Sequence, residues 1–173
     1  MATTDGAPQG AAKQGAVAAG QRLDRILLPP NLVPHSPYAE ADRSQAVADL
    51  LAENSFDPPG LPPGPYVLHL DIRENRLWLD IRDSADAALH AFALALSPFR
   101  GLIKDYLMVV ESHELAVTQD SHDSRIQAID MGRRGLHDEG AELLRERLAG
   151  RVSLDFGTAR RLFTLVCALH SRA

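Results

Sequence analysis

The alternation of hydrophobic and polar residues predicts a β-hairpin between Tyr66 and Arg82. Aliphatic residues occupy every second position on both sides of the dipeptide Glu74-Asn75, which is the spacing of half-buried strands. A two-residue turn at this dipeptide pairs Ile72 with Leu77, Leu70 with Leu79 and Leu68 with Ile81. These six residues then share one face, and a shift by one residue would move all of them off it, so we predict this register.

Two further segments predict strands. Residues 22–28 alternate over a short stretch that is bounded by prolines. The alanines of residues 89–96 suit a helix, but Phe92, Leu94 and Leu96 recur at period two. We therefore predict that this segment adds another strand to the hairpin.

Four segments carry apolar residues at helical spacing, and each begins with a residue whose side chain can cap a helix or near a proline that favours a first turn. They run from Ser36 to about Asn54, from Ser97 to Val117, from about Asp123 to Gly150, and onward from Asp155.

The order of these elements, β-α-β-β-β-α-α-α, predicts an α+β fold. We expect a small, mostly antiparallel sheet of about four strands with the helices packed on its aliphatic face. Residues 1–20 contain seven alanines and four glycines without apolar periodicity, so we predict a flexible leader there. Residues 21–173 then form a single domain, as the length of the chain suggests.

Composition narrows the class of protein. The chain has 18 basic and 23 acidic residues, a net charge of −5, which fits poorly with bulk nucleic-acid packaging or polybasic membrane anchoring. The longest apolar runs are much shorter than the ~20 residues of a membrane span. The only cysteine, Cys167, excludes an intramolecular disulfide and a cysteine-based zinc site. We predict a cytoplasmic protein without membrane association, and the oligomeric state stays open.

The chain contains no familiar catalytic signature, so we assign no catalytic residues, no metal and no cofactor. His69, Asp71 and Asp80 fall on the polar face of the predicted hairpin, where they could hold a metal or move a proton. We favour the simpler interpretation, in which His69 and Asp80 form an ordinary cross-strand pair on an exposed face.

The segment from Ile129 to Gly140 places three glycines, Gly132, Gly135 and Gly140, within a helical pattern. Each glycine costs about 1 kcal/mol relative to alanine inside a helix, so we expect a compensating role. Either the glycines let two helix backbones approach closely, or the segment breaks into two helices at residues 132–137. A functional alternative is that the small residues expose backbone N–H groups that help to bind an anion.

Two arginine doublets, Arg133-Arg134 and Arg160-Arg161, fall on predicted helices, and His137 follows the first doublet by one turn. Between Ser97 and Ala173 there are ten arginines and one lysine against eleven acidic residues. The equal numbers of basic and acidic residues allow an internal network of arginine–carboxylate pairs that joins three helices. They also allow a surface on which the guanidinium groups face solvent and bind an anion.

The sequence resembles the uncharacterised protein family numbered 0262 of alphaproteobacteria. The resemblance rests on Ser97-Pro-Phe-Arg100, on Lys104-Asp-Tyr106, on the string from Ser124 to Gly140, and on Asp155-Phe156 leading to Thr158–Leu165. It extends from about Arg22 to the last residue. The resemblance implies a bacterial cytoplasmic protein and carries over no mechanism.

We favour a non-enzymatic interaction module that binds an acidic or phosphate-bearing partner, either a protein or an RNA. The candidate binding residues are Arg133, Arg134, His137, Arg160 and Arg161. The alternative is an enzyme for a small phosphorylated or carboxylated metabolite. In that enzyme Arg133 and Arg134 clamp the anion, and His137 is the general acid/base beside Asp130 or Glu139. A third hypothesis is a structural subunit whose arginines pair only with its own acids.

Overall fold

The computed structural model describes residues 20–33 and 36–170. The strands are β1 (Leu23–Leu27), β2 (Phe56–Asp57), β3 (Tyr66–Arg73), β4 (Arg76–Arg82), β5 (Ala88–Ala95) and β6 (Ser153–Leu154). The helices are α1 (Pro37–Ala52), α2 (Arg100–Thr118), α3 (Asp123–Leu148) and α4 (Phe156–His170). Residues 1–19 of the predicted leader lie outside the described residues. The division into a leader and one domain therefore stays a prediction.

The hairpin of β3 and β4 has the predicted register. Ile72 lies opposite Leu77, Leu70 lies opposite Leu79 and Leu68 lies opposite Ile81. Glu74 and Asn75 have φ angles of 52° and 57°, the left-handed conformation that a tight hairpin turn requires at both central positions. The prediction for the third segment is also confirmed, because β5 pairs antiparallel with β4 along its length.

The four-stranded sheet has the order β1-β3-β4-β5 and is mixed, because β1 runs parallel to β3. The predicted α+β class with a mostly antiparallel sheet is therefore confirmed, and the helices pack against its aliphatic face. The separate antiparallel pair formed by β2 and β6 was not predicted. Each of these strands has only two residues, which is too short for any periodic pattern.

The predicted caps start two of the helices. Ser36 Oγ accepts a hydrogen bond from the amide of Ala39 at 3.1 Å, and Asp155 Oδ1 accepts one from the amide of Thr158 at 2.7 Å. Helix α2 follows a single 3₁₀ turn over Ser97–Phe99.

Helix α3 is continuous, so of the alternatives for the three glycines the break at residues 132–137 is wrong. Close packing explains only Gly140, where a Cβ atom would overlap the ring of Phe163 on α4. A Cβ at Gly132 or Gly135 would meet no neighbouring atom within 4 Å. Helices α3 and α4 therefore approach each other at Gly140.

The predicted pair of His69 and Asp80 is wrong. The two residues lie opposite each other in the register, but His69 Nε2 contacts Asp86 Oδ1 at 2.8 Å. Asp80 instead accepts hydrogen bonds from Arg82, at 2.8 Å from Nη2. The tight turn before β5 folds Asp86 back over the polar face of the sheet, where it displaces Asp80 as the partner of the histidine.

Candidate functional site

Helices α1, α3 and α4 enclose a groove of about 340 Å³, which we call the arginine groove. Helix α3 contributes three of the residues that the sequence singled out, and α4 contributes two. The groove is lined by Asp42, Gln45, Ala46, Asp49, Arg133, Arg134, His137, Arg160, Arg161 and Thr164. All five candidate binding residues therefore lie around one concavity, although their role in binding stays a prediction.

The carboxylate of Asp42 on α1 forms the floor of the groove. Its Oδ2 accepts a hydrogen bond from the hydroxyl of Tyr106 on α2 at 2.6 Å, and its Oδ1 accepts one from Arg133 Nη1 at 2.7 Å. His137 Nε2 lies 3.3 Å from Oδ2. One buried carboxylate thus holds groups from two other helices, and its charge is compensated on both oxygens.

His137 is held in place on two sides. Its Nε2 lies 3.2 Å from Thr164 Oγ1 on α4, and the Thr164 hydroxyl donates to the carbonyl of Arg160 at 3.3 Å. Because that hydroxyl proton is used, the Thr164 oxygen accepts from His137, and we assign the proton to Nε2. Only 3% of the His137 side chain is exposed, and the ring of Tyr106 stacks on it at 5.7 Å between centroids.

The Asp42 carboxyl group at the floor of the groove is ionised at neutral pH. Burial alone would raise the pKa of the Asp42 carboxyl, but the contacts from His137 and Tyr106 and the charge on Arg133 together hold it below its usual value. Burial and the neighbouring Asp42 charge raise the pKa of Tyr106, so its phenol remains a donor. Burial disfavours the charge on Arg133, yet Asp42 and Asp130 more than compensate and raise its pKa.

Arg133 and Arg134 differ in what they offer to a ligand. Arg133 also donates to Asp130 Oδ1, at 2.7 Å from Nη2, so two carboxylates surround a guanidinium that is 18% exposed. The alternative in which both members of the doublet face solvent does not hold for Arg133. Arg134 is 63% exposed and contacts the second oxygen of Asp130 at 3.2 Å.

The second doublet lies at the rim of the groove. Arg160 contacts Asp138 at 2.9 Å, and Arg161 lies 4.0 Å from Asp49. Both arginines are about one-third exposed. With Arg133 and Asp42, these pairs connect each of the three helices to the other two. A network of arginine–carboxylate pairs is therefore present, but two of its acids, Asp42 and Asp49, belong to α1 and precede residues 97–173, from which the network was predicted.

Sequence reasoning missed Asp42 and Thr164. The signal for Asp42 was its spacing from Ala46 and Leu50, because residues four apart share one face of a helix and both of these neighbours are buried. Nothing local indicated that the hydroxyl of Tyr106 contacts a carboxylate 64 residues earlier in the chain. Thr164 lies 27 residues from His137, and no local pattern links the two.

Acid is expected to weaken the folded state through Asp42 and Asp130. Burial opposes the charge of each carboxyl, but its partners, chiefly Arg133 at Asp130, hold both pKa values below normal. Their stabilising contribution is therefore complete above the unfolded-state pKa of about 3.9 and is lost as the pH falls toward the lower folded-state pKa. Urea unfolding from neutral to acidic pH measures this loss. Asp42→Asn should lose less stability with falling pH than the wild type, and parallel curves would contradict the assignment.

Within residues 20–33 and 36–170 there is no cluster of three or more histidine, cysteine or acidic side chains that could hold a metal ion. None of the helices formed by those residues is both long and apolar enough to cross a bilayer.

The fold and the groove describe a small α+β protein with a polar site between three helices. The chain belongs to the uncharacterised protein family UPF0262, whose profile matches residues 20–172, so the resemblance seen in the sequence is confirmed. A UPF0262 protein of Granulibacter bethesdensis is 57% identical over 164 residues, covering 90% of this chain and 93% of the relative. One of Acidiphilium cryptum is 52% identical over 160 residues, covering 92% and 98%. No solved structure matches the chain.

Proposed function

We propose that this protein is a binding module that takes an acidic or phosphate-bearing group of a partner in the arginine groove. The observation that carries the proposal is the convergence of two arginine doublets, one on α3 and the other on α4, on one concave surface. Guanidinium groups bind carboxylates and phosphates through paired N–H donors, so several of them around one concavity favour an anionic ligand.

Three arginines at the rim of the groove, Arg134, Arg160 and Arg161, can exchange their contacts with internal carboxylates for contacts with a ligand. Arg134, Arg160 and Arg161 each contact one carboxylate, and exposed ion pairs of this kind contribute only about 0–1 kcal/mol. A guanidinium group has five N–H donors, so one carboxylate contact leaves donors for a ligand. An incoming phosphate or carboxylate can therefore bind without breaking a strong internal interaction.

The buried residues favour binding over catalysis. His137, the general acid/base of the enzyme hypothesis, is enclosed between Asp42 and Thr164. Arg133, one arm of the proposed clamp, is neutralised by two carboxylates. The exposed basic groups of the groove are guanidinium groups, which remain charged throughout the physiological pH range and transfer no protons.

The chain's own charge favours a short anionic group on a protein over RNA. With a net charge of −5 the protein repels an extended polyanion, whereas one acidic or phosphorylated side chain experiences mainly the local arginines. The proposal assumes the cytoplasmic location predicted from the sequence, which stays a prediction.

Removing the rim charges should abolish partner binding. We expect Arg134→Ala/Arg161→Ala to weaken binding of an acidic or phosphoserine peptide at least tenfold, because each charge-assisted hydrogen bond contributes about 1.5–3 kcal/mol. The matched control is Arg145→Ala/Arg147→Ala, which removes two exposed arginines of α3 outside the groove. Fluorescence anisotropy with a panel of such peptides, single-stranded RNA and inorganic phosphate measures the affinities.

The result separates the remaining hypotheses. Equal loss in both double variants, or no binding to any probe, would overturn the proposal and leave the arginines as an internal network of a structural subunit. Groove-dependent binding of RNA alone would change the class of partner.

The enzyme alternative is supported by one observation, the 3.3 Å approach of His137 to Asp42 at the floor of a concave groove. It requires that a small anion reaches His137, which the closed floor opposes. Phosphate that binds in the groove without any peptide would favour this alternative.

A further inference from the structure

The two edges of the four-stranded sheet differ in how they are protected. Strand β1, at one edge, carries Asp24 and Arg25 and is followed by Pro29-Pro30. Charges and prolines discourage a further strand from pairing with an edge. Strand β5, at the other edge, has eight residues, and none of them is charged or a proline.

The free side of β5 is accessible. In the part of the chain that the structure describes, β5 pairs with β4 alone. Ala91, Ala93 and Ala95 alternate on the polar side of the sheet, and the pairing with β4 is regular from His90 to Ala95, after a register shift between Ile81 and Arg82. On the other side Phe92 and Leu94 are buried, and Arg151 lies over the ring of Phe92 at 5.0 Å. A neighbouring strand would thus meet a continuous backbone edge with small or apolar flanks.

We propose that β5 pairs antiparallel with β5 of a second copy of this chain, so that two sheets join into one of eight strands. A two-fold dimer uses the same surface on both copies, and an uncharged strand meets its own copy without charge repulsion. The surface does not include the arginine groove, so this inference is independent of the proposed function.

Charge at the two ends of β5 favours an antiparallel second copy over an unrelated strand. Asp83 and Asp86 belong to the turn that precedes the strand, and Asp80 lies opposite Ala91. Arg82 at this end pairs with both Asp80 and Asp86, so three carboxylates face one arginine and the end stays acidic. At the other end, exposed Arg76 lies opposite Ala95, and exposed Arg100 begins α2. An antiparallel pair brings the acidic end of each copy beside the basic end of the other, and parallel pairing would place like charges together.

Directly opposed residues of antiparallel strands share one face of a sheet, so the two-fold axis lies between the strands, where one residue of β5 faces its own copy. If that residue is Phe92, position 91 of one copy lies opposite position 93 of the other. If it is Ala91 or Ala93, that position lies opposite the same position of the other copy. Lysines at both positions would therefore repel each other across the interface in every one of these registers. Within one copy, position 91 lies opposite Asp80, which tolerates a lysine.

The test compares the full chain with Ala91→Lys/Ala93→Lys by sedimentation equilibrium. We expect the wild type at twice the mass of the 173-residue chain and the double variant at the mass of one chain. Hydrogen exchange should show the outward amides of β5 protected in the wild type and at least tenfold faster in the variant. The control Ala128→Lys, at an exposed position of α3, should remain a dimer.

Three results would overturn the proposal. The first is a wild type that stays monomeric at the highest concentration that can be measured. The second is a dimer whose mass is unchanged in the double variant while its thermal unfolding matches the wild type. The third is a monomer that becomes a dimer when residues 1–19 are deleted, because the chain's own first residues would then occupy the edge. If the double variant fails to fold, hydrogen exchange of the wild type still tests the proposal. The β5 amides that point away from β4 must be protected if β5 pairs with a second copy, so fast exchange at these amides would exclude the pairing.

Discussion

Replacing Asp42 by alanine is expected to lower the free energy of unfolding by about 3–5 kcal/mol, the range for breaking a buried ion pair from one side. The substitution leaves the hydroxyl of Tyr106 and one arm of Arg133 without their acceptor, and it removes one of the two acceptors near His137. A chain of this size should lose roughly 2–4 °C in Tm per kcal/mol. Urea unfolding and thermal unfolding followed by circular dichroism measure both quantities.

The matched control is Asp49→Ala, about two helical turns further along α1. Asp49 also lines the groove and lies near an arginine, but its side chain is 43% exposed and the separation from Arg161 is 4.0 Å. A loss of no more than about 1 kcal/mol is expected there. Equal losses at the two aspartates would show that Asp42 does not organise the buried network.

The three glycines of α3 should respond to alanine with opposite signs. Gly140→Ala is expected to destabilise the protein by about 1–3 kcal/mol, because the added Cβ overlaps the ring of Phe163 and forces α3 and α4 apart. Gly135→Ala and Gly132→Ala are expected to stabilise it by about 0.5–1 kcal/mol, because alanine favours a helix interior and meets open space at both positions.

Each of these three variants adds one methyl group to the same helix, so the comparison isolates the packing at Gly140. The free energy of unfolding from urea titration decides the signs. Stabilisation by Gly140→Ala would mean that the two helices do not meet at this residue. Destabilisation by Gly135→Ala would mean that its exposed backbone has a role of its own, as the anion hypothesis for the glycines requires.

Local patterns in the sequence were enough to predict the hairpin and the helix starts. The turn at Glu74-Asn75 and the alternating aliphatic residues on both sides allow only one register that buries a complete face. Ser36 and Asp155 cap helices through contacts within three residues, so the caps are visible in the sequence. The short pair of β2 and β6 could not be predicted, since it depends on residues almost one hundred positions apart.

The candidate site was predictable only in part, for the same physical reason. Both arginine doublets could be named from composition and spacing, but their acidic partners belong to other helices. Arg133 lies 91 residues from Asp42, and sequence spacing says nothing about such a contact. Charge balance indicated a network, yet only the packing of α1 against α3 and α4 decides which guanidinium is buried and which remains exposed.

The docking of helix α4 determines when the arginine groove forms during folding. Its side chains are mostly buried, and Thr158 reaches back to accept a hydrogen bond from the amide of Ser55, 103 residues earlier. Contacts of such high contact order carry a large loop-closure entropy and slow the folding of a domain. Arg160, Arg161 and Thr164 join the groove only when α4 docks. Partly folded chains therefore lack a complete arginine groove, so the binding proposed for this groove requires that α4 has docked.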